Sequence, residues 1–322
     1  MNIKVAILDV GQGDTIVVHT TDLTPNAAIV IDCVDAIRTI KYFRDNGISD
    51  VSAVFITHLH TDHYRQACSL LEEFPNALLV YRCILDNRGI KALLRPEPAH
   101  EAAYERLERW ALVNINRVRT AGAPINHLDT TIWGKSIEIL HPHEPNFARL
   151  VAGDFNDTSL IIKITGKQSS ILLCGDVQER GFRACKDIVG TSLNADFVKM
   201  PHHGAWNNPP GTSVAIDEML DADNPYEAFI SVGTLNTYRH PNIHVLDSLK
   251  NRDIATRCTQ ATQHCLDTPS AVPISCAGDI VIDLSEPRAS ALSHTWKTSH
   301  TDNINRFCGI NKACCTSTAR FH

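Results

Sequence analysis

Short apolar runs separated by polar turns divide the chain into segments of two periods. Ile3 to Val10 and Thr15 to His19 read as strands, joined by the turn Gly11-Gln12-Gly13-Asp14, whose glycines adopt conformations that other residues disfavour. Ala28 to Asp32 reads as a third strand. From Val34 to Gly47 the period changes: Val34, Ile37, Ile40 and Phe43 recur at near-helical spacing, with Gly47 as the stop. Val51 to Ile56 is apolar almost throughout and predicts a buried strand. A helix from Tyr64 to Phe74 and a strand from Leu78 to Cys83 follow.

Between Leu85 and about Asp129 the pattern is different. A proline-marked loop at Pro96 and Pro98 leads into a charged helical stretch, Ala99 to Val118, with Tyr104, Leu107, Trp110, Ala111 and Ile115 on one face. It reads as a helical insertion, either a substrate lid or an ordinary packing element. Strands then resume at Ser136 to Leu140, Leu160 to Ile164, Ser170 to Cys174, Ala195 to Met200, Ala228 to Val232, Ile254 to Cys258 and Asp279 to Leu284. Helices at Gln178 to Val189 and Ile243 to Asn251 lie among them, and the alternation predicts an α/β fold. The expected domain runs over residues 1–285 with an insertion at about 85–129. Residues 286–322 are Ser/Thr/Asn-rich, without periodicity, and read as a loosely ordered tail.

Composition narrows the function classes. The chain has 322 residues, and 36 acidic against 30 basic residues give a net charge of −6, so it lacks a general polycationic surface for gripping DNA. A phosphate-bearing substrate stays open, because bound metals supply positive charge locally. No apolar run approaches the ~18 residues of a membrane span. Met1-Asn2-Ile3-Lys4 leads straight into a strand without a secretory signal, so a cytoplasmic protein with mostly reduced thiols is expected. The 11 cysteines form no evenly spaced framework and no C-x-x-C pair. Cys258, His264, Cys265 and Cys276, with Cys308, Cys314, Cys315, His300 and His322 of the tail, are a candidate structural zinc set. The oligomeric state is open.

The chemistry gathers where strands stop. The strand at Val51 to Ile56 runs into Thr57-His58-Leu59-His60-Thr61-Asp62-His63, in which strand alternation would point His58 and His60 the same way. So many imidazoles beside a carboxylate repel one another when protonated and are poorly satisfied when dry. A bound cation resolves both problems. Later strands end in Gly175-Asp176, in Pro201-His202-His203-Gly204 and in Asn236 through His240-Pro241. Each is weak alone. Their joint occurrence in this order carries the weight.

These residues, with Asp9 to Asp14, Ile31-Asp32 and Asn156-Asp157-Thr158-Ser159-Leu160, resemble the metallo-β-lactamase-fold hydrolases, over about residues 3 to 284. Within that family the chain looks most like the branch containing the nuclease-like domain of bacterial competence DNA-uptake proteins. The resemblance implies a four-layer αββα sandwich with two divalent metal ions, zinc or manganese, at one edge. It implies His58 and His60 on one metal, Asp62 and His63 on the second, and Asp176 bridging. The remaining ligand is His202, His203 or His240, and a histidine not so used would protonate the leaving oxygen or touch a substrate phosphate.

The chain departs from the family pattern twice. Where many relatives have a histidine as third ligand of the first metal, it has Asn156, flanked by Asp154 and Asp157, with His141 as a substitute. An oxygen ligand there would favour manganese over zinc. After His63, where relatives carry small residues, it has Tyr64-Arg65-Gln66, and Arg65 is expected at a helix N-terminus beside the metals, reaching a substrate phosphate. Asn236, Arg239 and Lys199 are further candidate phosphate contacts. The implied activity is hydrolysis of a phosphodiester, in a nucleic acid or nucleotide, by a metal-activated water. The alternatives are a small-molecule esterase or lactonase of the same fold, or a non-catalytic partner subunit.

Overall fold

The computed structural model describes residues 1–20, 22, 26–82, 98–122, 133, 136–143, 154–206, 214–266 and 270–291. The first half holds β1 (Ile3–Ile7), β2 (Thr15–Thr20), β3 (Ala27–Cys33), α1 (Ala36–Asp45), β4 (Asp50–Ile56), α2 (Thr61–Tyr64), α3 (Ala67–Glu73), β5 (Leu78–Tyr81), α4 (Pro98–Val113) and β6 (Val118–Thr120). The second holds β7 (Ile137–His141), β8 (Ile161–Thr165), β9 (Ser170–Leu173), α5 (Glu179–Val189), β10 (Phe197–Lys199), α6 (Val214–Asp223), β11 (Glu227–Ile230), α7 (Ile243–Asn251), β12 (Ala255–Cys258) and β13 (Ile280–Asp283).

Seven strands form one sheet in the order β13-β1-β2-β3-β4-β5-β6, and six form the other in the order β12-β11-β10-β9-β8-β7. The halves are built alike. Each sheet has an antiparallel run, β1-β2-β3 or β7-β8-β9, that passes into parallel strands joined through helices. The last strand, β13, returns to pair antiparallel with β1, setting Lys4 opposite Asp283.

Three apolar layers follow from strand alternation. Ile3, Val5, Ile29, Ile31, Phe55, Ile162, Phe197 and Phe229 point between the sheets. Residues one position out of phase, such as Val30, Val54 and Ile56, meet the helices of the first half, and Leu172, Val198 and Ile230 meet those of the second. This is the expected αββα sandwich.

Three elements differ from the sequence reading. Helix α1 starts at Ala36 because Asp35 caps it, its carboxylate accepting from Arg38 N at 2.9 Å. The helix expected over Tyr64 to Phe74 is split. Gln66 is tied to the end of β3, its amide nitrogen donating to Cys33 O at 3.0 Å and its side-chain oxygen accepting from Ala36 N at 2.9 Å, so a second helix must start after it. The described part of the insertion is a packing element. Tyr104, Leu107, Trp110 and Ala111 of α4 bury into the first-half helical layer, and β6 extends the sheet parallel to β5. Ile115, expected on the same face, is exposed just beyond the helix. The flanks at 83–97 and 123–132, and residues 292–322, lie outside the described residues.

Candidate metal centre

The loops carrying His58 to His63, Asp176 and His202-His203 leave the carboxyl ends of parallel strands, where open α/β sheets place their ligands. Strand β4 ends at Ile56, and the chain bends at Thr57, which reaches back to the end of β3. Its amide nitrogen donates to Asp32 Oδ1 at 2.8 Å and its hydroxyl to Asp32 Oδ2 at 2.7 Å. Although the strand does not continue through His58 and His60, their rings lie side by side, with centroids 4.8 Å apart. The one-turn helix α2 presents Asp62 and His63. Gly13 holds it from below: with φ at +118°, a Cβ there would stand 2.4 Å from Asp62 O, the carbonyl that accepts from Asp14 N at 3.0 Å.

The second half contributes from three strand ends. After β9, Gly175 lets Asp176 turn inward, and Ser159 Oγ accepts from Asp176 N at 3.0 Å. After β10, His202 and His203 both take left-handed conformations, with φ of 49° and 53°. This double turn aims His203 at the cluster, where its Nδ1 donates to Ser231 O, beyond β11, at 2.8 Å.

The resulting geometry centres on Asp176. Its Oδ2 lies 3.2 Å from His63 Nε2, 3.5 Å from His203 Nε2, 3.9 Å from His202 Nε2 and 4.0 Å from His58 Nε2. Asp62 Oδ2 lies 3.5 Å from His203 Nε2. Each inward histidine is oriented from behind: His63 Nδ1 donates to Asp32 Oδ2 at 2.7 Å, His203 Nδ1 to Ser231 O, and His58 Nδ1 lies 3.2 Å from Thr57 Oγ1. The Nε2 atoms of His58, His63 and His203 and Oδ1 of Asp176 are buried without a hydrogen-bond partner. Orphaned lone pairs converging on one point, with the opposite ring nitrogens engaged, are the arrangement metal-ligating histidines adopt. The residues fit divalent cations.

Electrostatics agrees. Burial and the neighbouring His63 and His60 push His58 well below the ordinary imidazole range. Burial acts the same way on His63, but the carboxylates of Asp176 and Asp32 outweigh it and hold its pKa well above. His203 is likewise raised, against its burial, by Asp176 and Asp62. Asp176 is buried, yet His63 and His203 keep it well below the usual carboxylate range. The buried acids thus call for positive charge at this point, which a bound divalent cation would supply.

Four groups of three ligand atoms within 4.8 Å of one another occur among the described residues: His58 with His63 and Asp176, Asp62 with His63 and His203, Asp14 with Asp32 and His63, and Asp14 with Asp176 and His203. However, Asp32 is saturated by Thr57 and His63, and Asp14 is paired with the ammonium of Lys199. Among the three late histidines, His203 is the one that is fully buried, with its Nε2 unpartnered among the candidate groups. His202 flanks it from the solvent side, and His240 stands one ring further out, its centroid 5.6 Å from that of His202. Burial and the nearby His202 lower His240 to about 4.

Several expected contacts are corrected. Lys199 is fully buried; strand alternation puts it on the inter-sheet face with Phe197, where it pairs with Asp14, donates to Gly175 O at 3.3 Å and lies 3.9 Å from Asp176 Oδ1. It faces the underside of the centre and is not a phosphate contact. Arg65 stands at the C-terminal end of α2 rather than at a helix N-terminus, exposed, with its Nε donating to Val34 O at 3.1 Å. Asn236 braces its own loop: its amide donates to Gly233 O at 2.6 Å and His240 O at 3.1 Å, while its oxygen accepts from His240 N at 2.8 Å. Arg239 is exposed on that loop at φ 61°.

The region around Asn156 divides its tasks. Asp157 Oδ1 accepts from Gly181 N at 2.8 Å, and His141 Nε2 donates to Asp157 O at 2.9 Å. Asn156 is buried with Oδ1 unpartnered, on a turn whose Phe155 packs against His60. Among the described residues the metal-capable clusters all lie at this centre, and none contains Cys258, His264, Cys265 or Cys276. The positioning roles of Asp32, Ser231 and Lys199 were missed from sequence. The available signal was a charged residue closing an otherwise apolar strand, Ile29-Val30-Ile31-Asp32 or Phe197-Val198-Lys199, which must find a partner.

The chain is 23% identical over 216 residues to ComE operon protein 3 of Bacillus subtilis (strain 168), covering 67% of this chain and 24% of that one. It thus spans about a quarter of that relative's length. Among solved structures it is similar to a CmlA beta-hydroxylase mutant, with a TM-score of 0.46 and 12% identity over 80% of this chain and 52% of that one. It is also similar to human tRNase Z, short form, with a TM-score of 0.36 and 13% identity over 70% and 91% of the two chains. Among the described residues no helix is long and apolar enough to cross a membrane. Residues 8–209 match the Metallo-beta-lactamase superfamily profile, and the chain belongs to that superfamily of metal-dependent hydrolases.

Proposed function

We propose that the chain is a phosphodiesterase or nuclease that uses two divalent ions and direct attack of water. The observation that carries this is the set of orphaned inward lone pairs on His58, His63 and His203 around the carboxylate of Asp176. In this reading His58 and His60, with Asn156, would hold one ion, zinc or manganese, and Asp62, His63 and His203 would hold the second, with Asp176 available to both. Such ions supply a water ionised near neutral pH and offset the charge that develops on a phosphoryl group. The chain's residues do the rest. Asp32, Thr57 and Ser231 O fix the tautomer and aim of the ligating rings. His202, 22% exposed and 3.9 Å from Asp176, stands on the open side, placed to donate a hydrogen bond from its ring N–H to the leaving oxygen or a substrate phosphate. Arg65 and Arg239, both exposed, draw a polyanion toward the rim. No side chain is placed as a covalent nucleophile in this scheme.

The preference for a phosphodiester is supported by the resemblance to the DNA-uptake branch. The test is incubation with labelled single- and double-stranded DNA, RNA and cyclic nucleotides, with manganese or zinc, beside His60→Ala and Asp176→Ala. Metal-dependent cleavage lost in both variants is expected. Hydrolysis of a simple ester with none of these cleaved would move the assignment to the esterase or lactonase class, and wild-type rates in both variants would overturn the mechanism.

A further inference from the structure

Tyr238 stands apart from the machinery described so far. It is 68% exposed, although a tyrosine this size usually buries its ring. One face stacks on His240, with ring centroids 5.7 Å apart and planes 13° apart. The side chain is otherwise largely open to solvent. The stack points away from the metal centre in steps: His240 neighbours His202, which neighbours Asp176.

The loop that carries the ring is braced at several points. Asn236 holds both the N–H and the carbonyl of His240. Gln263 Nε2 donates to Arg239 O at 3.0 Å, and His264 Nε2 to Pro241 O at 2.9 Å. At the loop's root, a Cβ on Gly233 would stand 2.7 Å from Gln12 N, so the loop is seated against the β1–β2 turn. An open aromatic face on a braced loop is pre-organised to receive a planar group at little further entropic cost. Beside it, Arg239 is exposed and held at positive φ, a conformation that costs free energy in a non-glycine residue and recurs at functional sites.

We propose that Tyr238 is a stacking platform for an unpaired nucleobase that flanks the scissile phosphate. The inference rests on the phosphodiester reading above and names its substrate class: a single-stranded nucleic acid, because duplex bases already cover one another's faces. Tyr238 acts as a specificity residue. Its ring binds a base through π overlap that any base offers, with Arg239 attracting the adjoining phosphates.

The test uses metal-loaded full-length protein and a fluorescent single strand with phosphorothioate linkages, read by anisotropy. Tyr238→Ala is expected to weaken binding roughly 5- to 150-fold, the range for losing one base–aromatic stack. Tyr238→Phe, which keeps the ring, should recover it. An otherwise identical abasic strand should bind the wild type as weakly as the full strand binds Tyr238→Ala, with no further loss in the variant. Equal affinities of wild type and Tyr238→Ala for the base-bearing strand would overturn the platform, as would an equal drop on the abasic strand. Cleavage of the ordinary phosphodiester strand is scored separately. Tyr238-dependent binding without cleavage overturns the hydrolytic reading and leaves the platform; cleavage and binding both indifferent to Tyr238 do the reverse.

Discussion

The two halves of the molecule reach the metal centre by different means. In the first half, the candidate ligands are neighbours in sequence, His58 to His63, and the orienting partner is a side chain: Asp32 holds His63 through a charge-assisted bond of 2.7 Å. In the second half the candidate ligands come from separate strand ends, and the orienting partner of His203 is a backbone carbonyl, Ser231 O. The second half also relies on unusual backbone, with consecutive left-handed residues at His202 and His203. A carboxylate behind a histidine makes it a more basic ligand and can be removed by one substitution. A carbonyl is fixed by the sheet itself. The first half therefore carries the tunable part of the centre and the second half the part set by the fold.

Asp176 joins the halves, so its removal should be the most damaging change. Asp176→Ala is expected to lower kcat/KM by about 10³-fold or more and to lose metal at both positions, measured by hydrolysis and by elemental analysis of dialysed protein. Retention of one tightly held ion would show that a half binds alone. Next comes the ion pair beneath the centre. Lys199→Met leaves Asp14 buried without its cation and is expected to cost about 3–5 kcal/mol in urea unfolding. The double variant Asp14→Asn/Lys199→Met should recover much of that; if it does not, the pair serves packing rather than charge balance.

Each half also buries one neutral histidine away from the centre, which makes them comparable by pH. Burial, with Lys4 nearby, lowers His19 of β2 to about 4, and burial lowers His141 of β7 to about 4. Both are neutral in the folded protein where the unfolded chain takes up protons near its ordinary imidazole value of about 6.5. Their stabilising contribution is complete above that pH and is lost as pH falls toward 4, on the order of 3 kcal/mol each at most. His19→Gln and His141→Gln should each flatten part of the acid limb of a stability-versus-pH curve. A curve unchanged by either would assign the acid sensitivity elsewhere. Asp32→Asn is the direct test of the tunable half: metal affinity should fall about 10- to 100-fold with little change in unfolding midpoint. Smallest is Asn236→Ala, which frees the loop around His240 and should raise KM severalfold while leaving metal content intact.

The same contrast explains what could be read from sequence. The run His58 to His63 was legible because contiguous candidate ligands need no knowledge of the fold; an α/β fold was legible because apolar strands alternate with helical periods, and the four-layer sandwich followed from the family resemblance. The burial of His203 deeper than His202 was not legible, because it depends on backbone dihedrals and on a carbonyl from another strand. Lys199 was misread because a charged side chain at a strand end was assigned to substrate, when it neutralises a buried acid; the bracing of its own loop by Asn236 depends on a fold the sequence does not display. Arg65 was misplaced because α2 is a single turn that Gln66 interrupts. Helix α6 was overlooked, although Ile216, Met219 and Leu220 fall at helical spacing and bury together.

The return of β13 to β1 bears on how the molecule is made. The strand that closes the first sheet, Ile280–Asp283, lies near the far end of the described chain from its partner Ile3–Ile7. During synthesis the edge of β1 therefore stays unpaired until the whole second half has left the ribosome. By then β7 to β12 and their helices can already be in place, so pairing of the first sheet's outer edge is a late step. A nascent chain halted before Ile280 presents an open, apolar strand edge of the kind that recruits chaperones or other chains.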